Sequence, residues 1–267
     1  MPRFASPIVR LAAAALLALM LPATVVAQHA GSAFATTIED AHGAERYHRH
    51  AALEADLTVN FGGSTIIDGS MLMRTDTSGV RIVQKAGPVA VFDGQRAWVT
   101  PDATAFPRAR FHLLTWPYFL AAPAKLQDPG TQLEPTGKHT LHDVAHPTAK
   151  LTFSAGIGDS PDDWYVLYRN PENDQLRAMA YIVTYGKSTS ETAKAVPHVI
   201  VYDDYQTVDG VTLSTRWTFY DWNEKDGAVG DPIGDVTLAN LRFVEPSADA
   251  FRQPASAVED ALPDAGR

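Results

Sequence analysis

The chain predicts a mainly β fold. The expected form is a single curved antiparallel sheet, an incomplete β-barrel of about ten or eleven strands, with one N-terminal helix and a helical insert covering the concave face. Three observations predict it. Beyond Ala51, apolar and polar residues alternate with period two through most of the chain, as half-buried strands require. The strand-like runs follow one another through turn-rich joints, which suits an antiparallel meander rather than βαβ units. One Leu-, Phe- and Ala-rich stretch, Pro107–Leu126, interrupts the alternation with near-helical spacing.

The elements follow in order. Ser32–His42 reads as a short helix, with Ser32 or Thr36 as N-cap, Phe34, Ile38 and Ala41 on one face, and Gly43 as its stop. From Ala51 to Phe61, Leu53, Ala55, Leu57, Val59 and Phe61 alternate with Glu54, Asp56, Thr58 and Asn60, and Gly62-Gly63 ends the strand. Further strands are expected at Gly69–Asp76, Gly79–Lys85, Pro88–Phe92 and Gln95–Thr100. Asp93-Gly94 is expected to form a two-residue hairpin turn, because that pair tolerates two positive φ angles. Pro117 interrupts the insert, which predicts two short helices or a kinked one. Strands resume at Lys150–Ala155, Asp163–Asn170, Gln175–Tyr185, His198–Thr207, Val211–Trp222 and Asp235–Val244, with a second Asp-Gly turn at Asp209-Gly210. The tail after Pro254, rich in Ala, Asp and Pro, reads as disordered. The domain division is therefore an export segment at 1–27, one β domain at 28–254 and a tail at 255–267.

Residues Met1–Ala27 set the compartment. Arg3 and Arg10 form a basic start, Leu11–Leu21 an apolar run, Pro22 a break, and Val25-Val26-Ala27 a small-x-small cleavage step. The run is shorter than the ~20 residues of a spanning helix, so no stable membrane span is expected once the signal is cleaved. Removal leaves 240 of 267 residues, and since the segment carries two basic residues and no acid, net charge moves from −9 to −11. An acidic surface repels phosphate backbones, which excludes nucleic acid as a partner. The chain has no cysteine, so its stability rests on its core, to which 45% apolar content is adequate. With no Asn-x-Ser/Thr sequon, the bacterial periplasm is favoured over eukaryotic secretion.

No pattern of catalytic residues dominates. His48 and His50 share a strand face, and His139, His142 and His146 flank Asp143, but the strand-like flanks do not align them as a zinc site would. Gly158-Asp159-Ser160 is similar to the nucleophile block of GDSL hydrolases. That chemistry needs a C-terminal histidine, and none follows His198. The adjacent pairs Asp162-Asp163 and Asp203-Asp204 point to opposite strand faces and form no dyad alone. The aromatics are more telling. Trp98, Trp164, Trp217 and Phe219 fall in predicted strands, and Phe111, Trp116, Tyr118 and Phe119 fall in the insert. Together they suit the lining of an apolar cleft. These eight are the candidate ligand-binding residues; no catalytic residue, metal or cofactor is assigned.

The layout resembles the LolA/LolB-like group of periplasmic lipoprotein carriers. It combines an export signal, a helix ending in His42-Gly43, a meander interrupted by an apolar helical insert, and the ending Asn240-Leu241-Arg242-Phe243 followed by Phe251-Arg252-Gln253-Pro254. Three blocks, Val91–Trp98, Gly158–Tyr168 and Tyr202–Val211, are similar to an uncharacterised exported family near that group. The resemblance implies a half-barrel plugged by helices and holding acyl chains of a lipid or lipidated protein. Lacking a lipobox cysteine, the chain is similar to the soluble carrier rather than the anchored acceptor. The expected function is thus non-enzymatic binding of a hydrophobic small molecule, lipid or lipidated protein, with Pro107–Leu126 as a movable lid. Two alternatives stand beside it: a periplasmic hydrolase using carboxylate or histidine residues in the same cleft, and an interaction module with no open cavity.

Overall fold

A computed structural model describes residues 23–262 apart from Pro161. Met1–Pro22 of the expected export signal and the last five residues of the tail lie outside the described residues. A first meander comprises β1 (Ala52–Phe61), β2 (Ser64–Arg74), β3 (Val80–Gln84), β4 (Val89–Phe92) and β5 (Ala97–Thr100). A second comprises β6 (Thr131–Leu141), β7 (Val144–Phe153), β8 (Tyr165–Arg169), β9 (Leu176–Tyr181), β10 (His198–Val208), β11 (Val211–Asn223) and β12 (Gly227–Val244). The short β13 (Val258–Glu259) follows. All 13 strands join one antiparallel sheet in the order β13-β5-β4-β3-β2-β1-β12-β11-β10-β9-β8-β7-β6, which is not closed into a barrel. The helices are α1 (Ala23–His42), α2 (Ala44–Tyr47) and α3 (Ala109–Ala121), the last running into a 3₁₀ turn at Ala122–Ala124. Among the described residues no helix is long and apolar enough to cross a membrane.

Two strands exceed the sequence reading, and both are edges. β6 carries Pro135 and Gly137 around a bulge and is largely exposed, so it lacks the alternation that marks a half-buried strand. β13 forms in the tail expected to be disordered. Val258 and Glu259 pair with Val99 and Trp98 of β5, and the Asp260 N–H donates to the Ala97 carbonyl. The exposed edge of β5 supplies the hydrogen-bonding partners that composition alone does not reveal.

α3 explains the curvature. One side of this helix packs on β3, β4 and β5. From its other side Tyr118 meets Tyr165 of β8, with ring centroids 5.5 Å apart, and Phe119 meets Tyr181 of β9 at 5.2 Å. The Tyr202 hydroxyl of β10 donates to the Phe119 carbonyl at 3.0 Å. In a flat sheet β4 and β8 would stand roughly 38 Å apart at ~4.8 Å per strand, whereas a helix is only ~10–12 Å across. The sheet therefore curls around α3, and its inner face merges with the helix in one core containing Leu53, Leu57, Met71, Trp116, Trp217 and Phe219.

Pro117 does not split α3 into two short helices, the first of the two forms expected. The Trp116 indole N–H donates to His112 Nδ1 at 3.0 Å one turn back, the two rings stack, and Leu113, Trp116, Phe119 and Leu120 are buried. Packing on both sides offsets the missing backbone hydrogen bond. α1 begins well before Ser32, whose hydroxyl bonds Gln127 instead of capping a helix. A side chain on Gly31 would collide with the Leu133 carbonyl at 2.1 Å, so glycine lets α1 lie directly on β6. Asp209 and Gly210 have φ of 50° and 79° between paired Val208 and Val211, the two-residue turn expected. At Asp93-Gly94 only Gly94 takes positive φ. Asp93 instead accepts the N–H groups of Gln95 and Arg96 and the Trp98 indole, which spreads the turn over four residues.

A smaller core lies on the outer face of β8–β10, around Val166, Tyr168, Ala178, Ala180, Val199 and Val201. It is covered by Trp164, Tyr220 and Trp222, whose indole N–H donates to the Tyr168 hydroxyl at 2.7 Å. β8 and β9 are consequently buried on both faces.

The end of α1 is pinned by His42. The Leu176 N–H donates to His42 Nε2 at 2.9 Å, which leaves Nδ1–H to donate to the Thr212 carbonyl at 2.8 Å. One neutral imidazole thus joins α1, β9 and β11. Burial pushes its pKa from 6.5 down to about 4. An unfolded chain takes up a proton near pH 6.5 that the folded chain refuses until about 4, so this contribution is present above 6.5 and lost as pH falls. His42→Ala should cost about 3 kcal/mol at pH 7, through two lost hydrogen bonds and an orphaned Leu176 N–H. Urea titrations from pH 7 to 4 should show the gap between wild type and variant narrowing as the solution acidifies.

Candidate functional site

α3 does not fill the curl. Between the helix and β7–β9 lies a hollow of ≈ 360 Å³. Phe111, Leu114 and Tyr118 of α3 form one wall, and Phe153, Tyr165 and Tyr181 of the sheet form the other. Strand register builds the second wall, since Tyr165 and Tyr181 are directly paired across β8 and β9 and so share a face. Asp163, two residues before Tyr165, also reaches the hollow.

Two ion pairs close its rim. Lys125 Nζ lies 2.5 Å from Asp128 Oδ2, and the lysine side chain is only 10% exposed. Across the mouth, Arg110 grips Asp159 with both arms, Nε to Oδ2 at 2.6 Å and Nη2 to Oδ1 at 2.9 Å. The same arginine donates from Nη1 to the Gln95 carbonyl, and its backbone N–H donates to Asp260. The start of α3, the loop bearing Asp159, the β4–β5 turn and the tail therefore meet at one side chain.

The eight residues singled out from the sequence divide by strand parity. Phe111, Tyr118 and Phe119 line the hollow. Trp116, Trp217 and Phe219 lie behind it in the main core, with the Trp116 and Phe219 centroids 6.1 Å apart. Trp98 and Trp164 sit on the opposite face of the sheet. Trp98 is flanked by inward Ala97 and Val99 and is covered by Arg96, whereas Trp164 packs on Trp222 and Lys150. Residue type alone missed Phe153, Tyr165 and Tyr181. The signal was parity: with Trp164 facing out, its neighbour Tyr165 faces in. The insert packs into the main core through Leu113, Trp116, Phe119 and Leu120.

Chemically, the hollow combines aromatic walls with carboxylates. Asp163 Oδ1 accepts the Thr184 N–H and hydroxyl, each at 2.7 Å. Burial nevertheless dominates and raises its pKa from 3.8 to about 6. No histidine lines the hollow among the described residues, and no three His, Asp or Glu side chains among them converge as a metal site requires.

No protein-family model matches the chain, and no curated protein matches it. Solved structures do. A LolA superfamily protein from Nitrosomonas europaea superposes with a TM-score of 0.52 at 9% identity, over 84% of this chain and 97% of the other. A DUF1329 family protein from Desulfovibrio piger gives 0.51 at 12% identity, over 84% and 96%. The chain has a LolA-like fold; at these identities the likeness extends to architecture alone.

Asp163 makes a direct test of the site's polarity. Its ionised form is disfavoured in the folded state, so the contribution of this group is fully present below about pH 4 and is lost as pH rises through 6. Asp163→Asn retains an acceptor for Thr184 without the charge. It should stabilise the protein by up to about 3 kcal/mol at pH 8, with the advantage vanishing below pH 4 in thermal melts.

Proposed function

We propose that this is an exported periplasmic protein that binds a hydrophobic ligand, an acyl chain or a body of similar bulk, in the hollow between α3 and the inner face of the sheet, without catalysing a reaction. The observation that carries this reading is the aromatic hollow left beneath the plug of an unclosed sheet. A self-filled concavity would have favoured an interaction module instead. At roughly 30 Å³ per water-sized group, ≈ 360 Å³ seats about a dozen heavy atoms. That matches one short chain or ring system rather than all the chains of a lipoprotein. Each buried methylene contributes about 0.8 kcal/mol before the costs of association. The hydrolase alternative finds less support. Ser160 borders the hollow, yet the lining offers it no histidine base among the described residues.

Delipidated protein should bind the neutral dye N-phenyl-1-naphthylamine, its ten-carbon naphthyl ring in the hollow and its phenyl ring at the mouth, with a rise in fluorescence. Leu114→Trp, which places an indole in the hollow, should weaken that binding about tenfold or more by loss of the buried contact area, with far-ultraviolet circular dichroism unchanged. Flat titrations of wild-type protein to high micromolar dye, or equal binding by the variant, would remove the hollow from consideration. For compartment, mature protein recovered from a periplasmic extract should begin at Gln28 on N-terminal sequencing; a chain retained in the cytoplasm and starting at Met1 would oppose export.

A further inference from the structure

The walls of the hollow are not purely greasy. Tyr165 and Tyr181 are 7% and 5% exposed, and among the described residues neither hydroxyl has a hydrogen-bond partner. Neither oxygen is among the polar atoms sealed in the core. Both residues line the hollow. Tyr118 joins them from α3, its ring 5.5 Å from that of Tyr165, and its hydroxyl is also unpartnered among the described residues. Two other tyrosines of the same core are satisfied, Tyr202 by the Phe119 carbonyl and Tyr205 by the Leu176 carbonyl, whereas the Tyr47 hydroxyl is sealed in without a partner and away from the hollow. Hydroxyls that keep some exposure and bond no protein group are free to donate and accept, so three tyrosines of this kind around one hollow offer a polar subsite within an apolar wall.

The surrounding charges decide what that subsite accepts. The cation in the lining, Lys125, is engaged by Asp128, and nearby Arg110 by Asp159. Asp76, Asp128, Asp159 and Asp163 all border the hollow. Within the lining, an anionic headgroup would meet four carboxylates and no cation without its own carboxylate; Arg108, stacked over Phe111, and Lys187, near Asp163, stand outside it. A phenol, by contrast, both donates and accepts, which suits an uncharged hydroxyl or carbonyl.

We propose that Tyr118, Tyr165 and Tyr181 form a headgroup subsite for an uncharged amphiphile, one that enters the hollow with its hydroxyl or carbonyl leading. This rests on the hydrophobic-ligand reading and adds to it the chemical class and the orientation of the ligand. A carrier of fatty-acid anions would instead leave the charged end at the mouth.

The test is displacement of N-phenyl-1-naphthylamine at pH 8 by two ten-carbon probes, 1-decanol and decanoate. One satisfied hydrogen bond in place of a desolvated anion should let 1-decanol compete at about tenfold lower concentration than decanoate. The double variant Tyr165→Phe/Tyr181→Phe should lose about tenfold in 1-decanol affinity on the same grounds, while binding dye within about twofold of wild type. Tyr118→Phe, at a less buried position, repeats the comparison should the double variant fail to fold. Equal competition by decanoate, or unchanged 1-decanol affinity in the phenylalanine variants, overturns the subsite while dye binding stands. If neither dye nor any ten-carbon probe binds, the hydrophobic-ligand reading falls, and the subsite with it.

Discussion

The structure depends on covering one apolar surface. A 13-stranded sheet that does not close exposes the whole of its inner face unless something occupies it. α3 does so by touching both halves of the sheet. Trp116 lies 6.1 Å from both Phe119 and Phe219, the contact that holds plug and sheet together. The curl, the main core and the shape of the remaining hollow follow from that contact. A 13-residue helix is about 20 Å long, too short to fill a trough built from strands of up to 18 residues, so space is left beside it.

Most of the fold was legible because most strands have one wet and one dry face. β1 and β11 alternate so cleanly that the residues facing the core can be read from the sequence. Legibility failed where that asymmetry disappears. β8 reads Tyr-Val-Leu-Tyr and is buried on both faces, so the strand is expected but its inward face is not legible. β6 is mostly wet on both faces, with a proline and a glycine inside. β13 exists only because β5 presents an edge. The site was less legible still. Choosing tryptophans by type selected Trp98 and Trp164, which parity sends to the other face, and passed over Tyr165 and Tyr181, whose positions depend on pairing across two strands.

The charged groups near the hollow fasten elements to one another. Arg110 and Asp159, 11% and 18% exposed, form a bidentate pair whose desolvation cost offsets much of its attraction. Its geometric effect is clearer, since it ties the first turn of α3 to a loop in which Gly156 and Gly158 adopt positive φ with no packing neighbour. His42 performs the same office at the far end of the curl, as a neutral ring held by two backbone groups. Asp163 differs from both, because burial outweighs its two hydrogen bonds and its charge is unwelcome where it sits.

The seam between the two meanders bears on how the molecule is made. Ala52 of β1 pairs with Val244 of β12, and Phe61 with Gly234. Two partners so far apart in the chain cannot meet until nearly all of it has been synthesised. Before then each meander carries a bare inner edge. Such non-local pairing folds slowly and leaves nascent chains prone to sticking together. Late closure of this kind is a hazard for a chain maturing at the ribosome, yet it is an asset for one that must stay unfolded long enough to be threaded through a narrow translocation pore.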